Sequence, residues 1–212
     1  MEREQFLGRV RAALRGAVLP EATGPGVAPS IEFDDPVSRF IEQATKAAAE
    51  VTVTPSAADA VDAVAGILDG RPFIAWDDLD AVVTGWEEVV VSRGWERIDA
   101  TVDATTRHAD HARIGAVPVG ITSADVAIAA TGTVVVTHGD GRPRSASLLV
   151  EDHIVLLPAD RIVPSLADGF ERVDWDTSNV VAITGPSRTG DIESILTLGV
   201  HGPRRLHIVV IG

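Results

Sequence analysis

The apolar positions fall into short runs separated by turn residues, and their spacing predicts the elements. Phe6, Val10 and Leu14 recur every four residues, with Arg9, Arg11 and Arg15 opposite, so residues 5–14 form an amphipathic helix. That helix either packs on the body or binds a partner or a membrane. LPEATGPGVAPS (19–30), with its three prolines and two glycines, is a linker. The chain therefore divides into an N-terminal helical arm (1–18), a Pro/Gly-rich linker (19–35) and a globular domain (36–212).

From Pro36 onward, helical and strand patterns alternate. PVSRFIEQATKAAAE (36–50) is a helix with Pro36 in its first turn. VTVT (51–54) is a β-branched strand, and SAADAVDAVAGILDG (56–70) is a helix capped by Ser56 and stopped by Gly70. PFIAW (72–76) is a strand, residues 78–93 are helical despite the β-branched run 89–91, and residues 100–115 are polar and irregular. VAIAATGTVVVTH (126–138) is a pair of strands or one bent strand, and GDGR (139–142) is a turn. HIVLLP (153–158), VVAIT (180–184) and LHIVVIG (206–212) are strands; DRIVPSLADGF (160–170), which carries Pro164, and TGDIESILTLG (189–199) are helices. Strands alternating with helices predict an α/β fold of three layers with a mainly parallel, mixed sheet. Runs such as IVLL and VVAI lack alternation, as in strands covered on both faces.

Charge and composition narrow the function. Eighteen Lys+Arg against 31 Asp+Glu give a net charge of −13. Such a chain is a poor nucleic-acid binder, because phosphate binding needs clustered bases. With no cysteine it is neither a disulfide scaffold nor the thiolate ligand of a zinc ion or iron–sulfur cluster. No long apolar run predicts a membrane span and the first residues show no leader pattern, so a cytoplasmic protein is expected.

Ligands of open α/β sheets bind beyond the carboxyl ends of the strands. The segments placed there are GITSAD (120–125), ATGT (130–133), TGPSRTGDIE (184–193) and GVHGP (199–203). Gly185 and Gly190 have Walker A spacing, but Asp191 and Ile192 follow where Lys and Ser/Thr belong, so no nucleotide loop is predicted. Ser187, Thr189, Asp191 and Glu193 either cap a helix or line a site, whereas Arg188 serves a substrate carboxylate or pairs with Asp191. Asp125 caps a turn, binds a cation or acts as an acid or base. Thr131, Gly132 and Thr133 mark a sheet bend or a close approach to a ligand. His201, held between Gly199 and Gly202-Pro203, is a structural histidine or a site residue; His207 is structural. His108 and His111 have helical metal spacing without a third ligand, so they form a solvated surface and no metal site is predicted. Neither a G-x-S-x-G elbow nor a G-x-G-x-x-G fingerprint is present.

GITSADVAIAATGTVVV followed by GPSRTGDIESILTLGVHGPRRLHIVVIG resembles the LutC/YkgG family of lactate utilization proteins, the LUD domain. The family pattern is G-I-T-x-A-D-x-x-I-A-x-T-G-T, then G-P-S-x-T-x-D-I-E, then G-V-H-G-P, and the three blocks occur here in order within residues 115–212. One position departs: Ala130 stands where many relatives carry Glu. The resemblance implies a NagB/RpiA/CoA-transferase-like α/β domain (36–212). It also implies a part in oxidising L-lactate to pyruvate beside iron–sulfur subunits, without assigning this subunit a reaction. The missing cysteines put the redox centres on other chains, with no cofactor on this one. Arg188 and the Arg204-Arg205 pair become anchors for an anionic metabolite, and Asp125, Asp191, Glu193 and His201 the acid/base candidates. The alternatives are a stand-alone transferase, isomerase or ligase acting on a small acid or sugar phosphate, and a metabolite-sensing module.

Overall fold

A computed structural model describes residues 3–15, 31–190, 196–199 and 201–212. Most of the predicted linker lies outside them. Helix α1 (Arg3–Leu14) occupies the predicted arm and leaves Phe6 and Val10 exposed.

The principal sheet forms from the most apolar runs. Its strands are β1 (Glu50–Thr54), β2 (Phe73–Ala75), β3 (Val119–Ser123), β6 (Asp152–Pro158) and β11 (Arg205–Ile211). They lie in the order β1-β11-β6-β3-β2, and every pairing is parallel. Alternate residues serve opposite faces. Ile154 and Leu156 of β6 and Val209 and Ile211 of β11 join a core with Ala60, Val64 and Leu68 of α3 (Ala57–Leu68). Val155, Leu157, Ile208 and Val210 join a second core with Phe40 and Ala44 of α2 (Pro36–Lys46). That second core also takes residues from a smaller sheet, built from β4 (Val126–Ile128), β5 (Thr133–His138), β7 (Ile162–Val163) and β8 (Asn179–Ile183). Its order is β7-β4-β5-β8, with β4/β5 and β5/β8 antiparallel and β4/β7 parallel. The arrangement is the expected layered α/β fold, with a parallel main sheet and the mixed pairing confined to the smaller one. Helix α7 (Leu166–Arg172) covers the outer side of the small sheet, where Gly169 lets it close on Ile128.

Asp35 caps α2 through Ser38 N, and Ser56 caps α3 through Asp59 N. The α3 stop is Asp69, at φ 47°, one residue before the predicted Gly70.

Several segments differ from expectation. Residues 107–115 form helix α5 (Arg107–Gly115), within the stretch read as irregular; only Ile114 of it is buried, so it has no apolar stripe to read. Residues 78–93 split into a 3₁₀ turn (Leu79–Ala81) and α4 (Trp86–Ser92). Pro164 separates β7 from α7, so 160–170 is not one helix; Ser165 and Asp168 form a capping box at the new start. GITSAD is mostly strand, because β3 is the buried neighbour of β6. Where a helix was expected over 189–199, the described residues form β9 (Arg188–Gly190) paired antiparallel with β10 (Leu196–Leu198).

At the amino edge of the principal sheet, Asp152 is 1% exposed and bonds Arg71 Nη1 at 2.6 Å and Arg205 through Nε and Nη2. Burial pushes its carboxyl up, but the two guanidinium groups outweigh that and hold it below the usual range. Asp152→Ala is expected to cost about 2–3 kcal/mol in urea unfolding. Breaking a buried pair costs about 3–5 kcal/mol, and the partly exposed arginines recover some of that in water.

Candidate functional site

Two of the blocks singled out in the sequence meet at one cavity. Residues 184–187 follow β8, and 201–203 precede β11. Ser187 N donates to Pro203 O at 2.9 Å and Gly199 N to Ser187 O at 3.0 Å, which ties the two loops together. A Cβ on Gly202 would lie 3.1 Å from Ser187 Cβ, so the contact is close. Gly185 has φ +76°, and a Cβ there would stand 2.1 Å from Ala47 O at the end of α2. Only glycine allows that approach.

The cavity beneath the loops is about 180 Å³, and Ser147, His153, Thr184, Ser187 and His201 supply its polar side chains. No Asp, Glu, Lys or Arg is among the described residues that line it. Its floor comes from helix α6 (Ser145–Leu148) and β6. A Cβ on Gly120 would be 1.7 Å from Ala146 O, so this glycine lets α6 rest on β3. Ser147 Oγ then lies 2.8 Å from His138 Nε2. His153 is fully buried, with Nε2 2.9 Å from Thr122 Oγ1 and no hydrogen bond at Nδ1. Burial, reinforced by His138 and His207, lowers its pKa to about 3, so the ring is neutral. The cavity opens beyond the carboxyl end of β8 in the small sheet, and near the amino ends of β6 and β11 in the principal one.

The predicted residues are placed as follows. Thr184, Ser187 and His201 line or border the cavity. Thr131 Oγ1 lies 2.6 Å from Thr133 Oγ1, which lies 2.7 Å from Thr184 Oγ1, so a row of hydroxyls joins the second block to the cavity rim. Gly132, at φ +67°, packs on α2, where a Cβ would be 2.2 Å from Ala44 N. Arg188 lies outside the lining and donates Nη2 to Ala47 O at 3.0 Å, at the negative end of α2. Asp125 lies elsewhere. It accepts from Thr137 N at 2.7 Å and Arg142 Nη1 at 2.8 Å, while Arg142 also pairs with Asp78 and lies 4.7 Å from the Trp76 ring centre. Arg205 is engaged by Asp152, and Arg204 borders a shallow depression beside His201. Thr189 contributes backbone to β9; its side chain, Asp191 and Glu193 lie outside the described residues.

His153, Ser147 and His138 were missed. The available signal was a histidine heading the apolar run IVLLP; its pairing with Thr122 depends on the β3/β6 register. A broader cleft of about 530 Å³ lies by the carboxyl end of β2, but it holds none of the three blocks, and its Arg97 is taken by Asp77 and Glu87. Among the described residues no group of three or more His, Asp or Glu is placed to hold a metal ion. His108 and His111 sit on the exposed face of α5. No described helix is long and apolar enough to cross a membrane.

The LUD domain family matches residues 37–211. Lactate utilization protein C of Halalkalibacterium halodurans is 30% identical over 99% of this chain and 97% of its own. The protein of that name from a Geobacillus strain is 31% identical over 67% of this chain and 63% of its own; that from Deinococcus radiodurans is 36% identical over 48% and 50%. The alignments thus cover less than two thirds of the latter two relatives. A crystal structure of a DUF162 family protein from Deinococcus radiodurans superposes with a TM-score of 0.63. It is 24% identical, and the match covers 86% of this chain and 100% of that one, a likeness of fold.

Proposed function

Since the chain belongs to the LUD domain family, we propose that it serves lactate utilization as a cytoplasmic subunit without a redox centre, beside iron–sulfur subunits, and that its cavity holds the small carboxylate. The observation that carries this reading is the joining of the 184–187 and 201–203 loops around one cavity of about 180 Å³. The relatives named lactate utilization protein C support the pathway. The absence of cysteine supports electron transfer on another chain. A stand-alone transferase, isomerase or ligase is the alternative; of its acid/base candidates, Asp125 is held by Arg142, and Asp191 and Glu193 lie outside the described residues.

Anaerobic affinity purification of the tagged full chain from its native host, grown on L-lactate, is the test. Recovery of an iron–sulfur protein together with lactate-dependent dye reduction is the expected result. Recovery of the chain alone, with lactate growth unchanged in a deletion strain, would overturn the reading.

A further inference from the structure

The unsatisfied edge of His153 gives the cavity a chemical preference. Thr122 has one hydroxyl proton, and its only side-chain partner among the described residues is His153 Nε2, 2.9 Å away. The pairing is best satisfied when Thr122 donates and Nε2 accepts. A neutral imidazole then carries its proton on Nδ1. That N–H is buried, belongs to a ring that lines the cavity and has no acceptor within the described protein. Buried polar atoms are rarely left so, and one at a cavity wall calls for a partner from outside the chain.

We infer that His153 is the ligand-selecting residue, its Nδ1–H donating to an acceptor oxygen of a small carboxylic acid. The inference rests on the cavity being the ligand site and deepens that reading by naming the contact. Ser187 supplies a second donor: its backbone N–H and carbonyl are spent on Pro203 and Gly199, while its hydroxyl makes no hydrogen bond among the described residues and borders the cavity. Volume sets the size. At about 180 Å³ the cavity lies below the roughly 300–1,000 Å³ of drug-sized sites, a scale that suits a three-carbon 2-hydroxy or 2-oxo acid. Charge sets the class. The described lining holds hydroxyls and the imidazoles of His153 and His201 but no guanidinium or ammonium, which suits a monoanion and disfavours a phosphate dianion. The carboxylate anchor is therefore His153 and not Arg188, which lies outside the cavity lining and donates Nη2 to Ala47 O at the end of α2.

Histidine-selective ¹⁵N labelling of the full chain tests this. The His153 ring should be in the neutral Nδ1–H form from pH 5 to 8. Pyruvate, L-lactate and acetate should shift Nδ1, while inorganic phosphate should not. His153→Phe should weaken pyruvate binding at least tenfold. Thr122→Val, a milder change, should weaken it several-fold by releasing the ring proton to Nε2. A His153 ring protonated on Nε2 in the unaltered protein, or undiminished pyruvate binding by a folded His153→Phe variant, would overturn the inference. So would silence of Nδ1 towards all three acids. A response to acetate alone would uphold His153 as the acceptor-binding group and count against lactate and pyruvate, separating the two readings.

Discussion

Gly120→Ala is expected to destabilise the protein by about 3 kcal/mol and to abolish ligand binding in the cavity, as measured by urea unfolding and by titration with pyruvate. The added Cβ would lie 1.7 Å from Ala146 O, 2.6 Å from its carbonyl carbon and 2.9 Å from its Cα. These are backbone atoms, so no side-chain rotation relieves the clash, and α6 has to lift from β3. Overpacking costs about 1–3 kcal/mol where side chains can yield, and this site belongs at or beyond the top of that range. Lifting α6 also moves Ser147 from His138 and opens the cavity floor. Gly66→Ala is the control: it lies within α3 with nothing within 4 Å of the new Cβ, and should stabilise by about 0.5–1 kcal/mol. If Gly120→Ala unfolds at the same urea concentration as the unaltered protein, α6 does not rest on Gly120.

Acid lability well above the carboxylate range is the second large effect. His153 titrates at about 3 in the folded state against 6.5 as the ordinary value. Between those values the unfolded chain binds a proton that the folded chain does not. Stability is therefore complete above pH 6.5 and falls as the pH drops through it, until about pH 3. At roughly 1.4 kcal/mol per pH unit, His153 alone removes about 2 kcal/mol between pH 7 and pH 5. His138 is lowered chiefly by burial, and His207 likewise, against the pull of Glu50 and Asp152; both act in the same direction. Asp152, whose folded pKa is depressed, loses its contribution only at lower pH. Urea unfolding at pH 7 and 5, followed by fluorescence of the buried Trp76 and Trp86, gives the slope. A folded His153→Phe variant should lose less stability over that interval than the unaltered protein. Equal losses would show that His153 is not the titrating group.

The sequence made legible those elements whose pattern reflects burial. IVLL and IVVI are strands because both of their faces are covered, and Ser56 starts its helix because it caps it. It was misleading where tertiary contacts replace pattern. β3 contains Gly120, Thr122 and Ser123, a loop-like composition, yet Gly120 serves the approach of α6 and Thr122 bonds a histidine 31 residues away. Pro164 is a visible breaker in a helical pattern, but that the part before it becomes strand β7 depends on its pairing with β4. For the candidate site, the loops carrying Thr184, Ser187 and His201 were readable from glycine and proline around polar residues. The roles of Arg188, Gly132 and Gly185 were not, because each depends on where α2 ends in space.

The position of β11 also bears on the order in which the molecule can assemble. β1 pairs only with β11, and β11 alone separates it from β6. Glu50 therefore finds its neighbour at His207, across nearly the whole length of the domain. During synthesis β2, β3 and β6 can associate while β1 remains an unpaired, β-branched segment until residues 205–211 have left the ribosome. Over that interval the core beneath α2 lacks Leu206, Ile208 and Val210. The nascent chain thus exposes a strand and a half-built core together, and the insertion of one strand closes both.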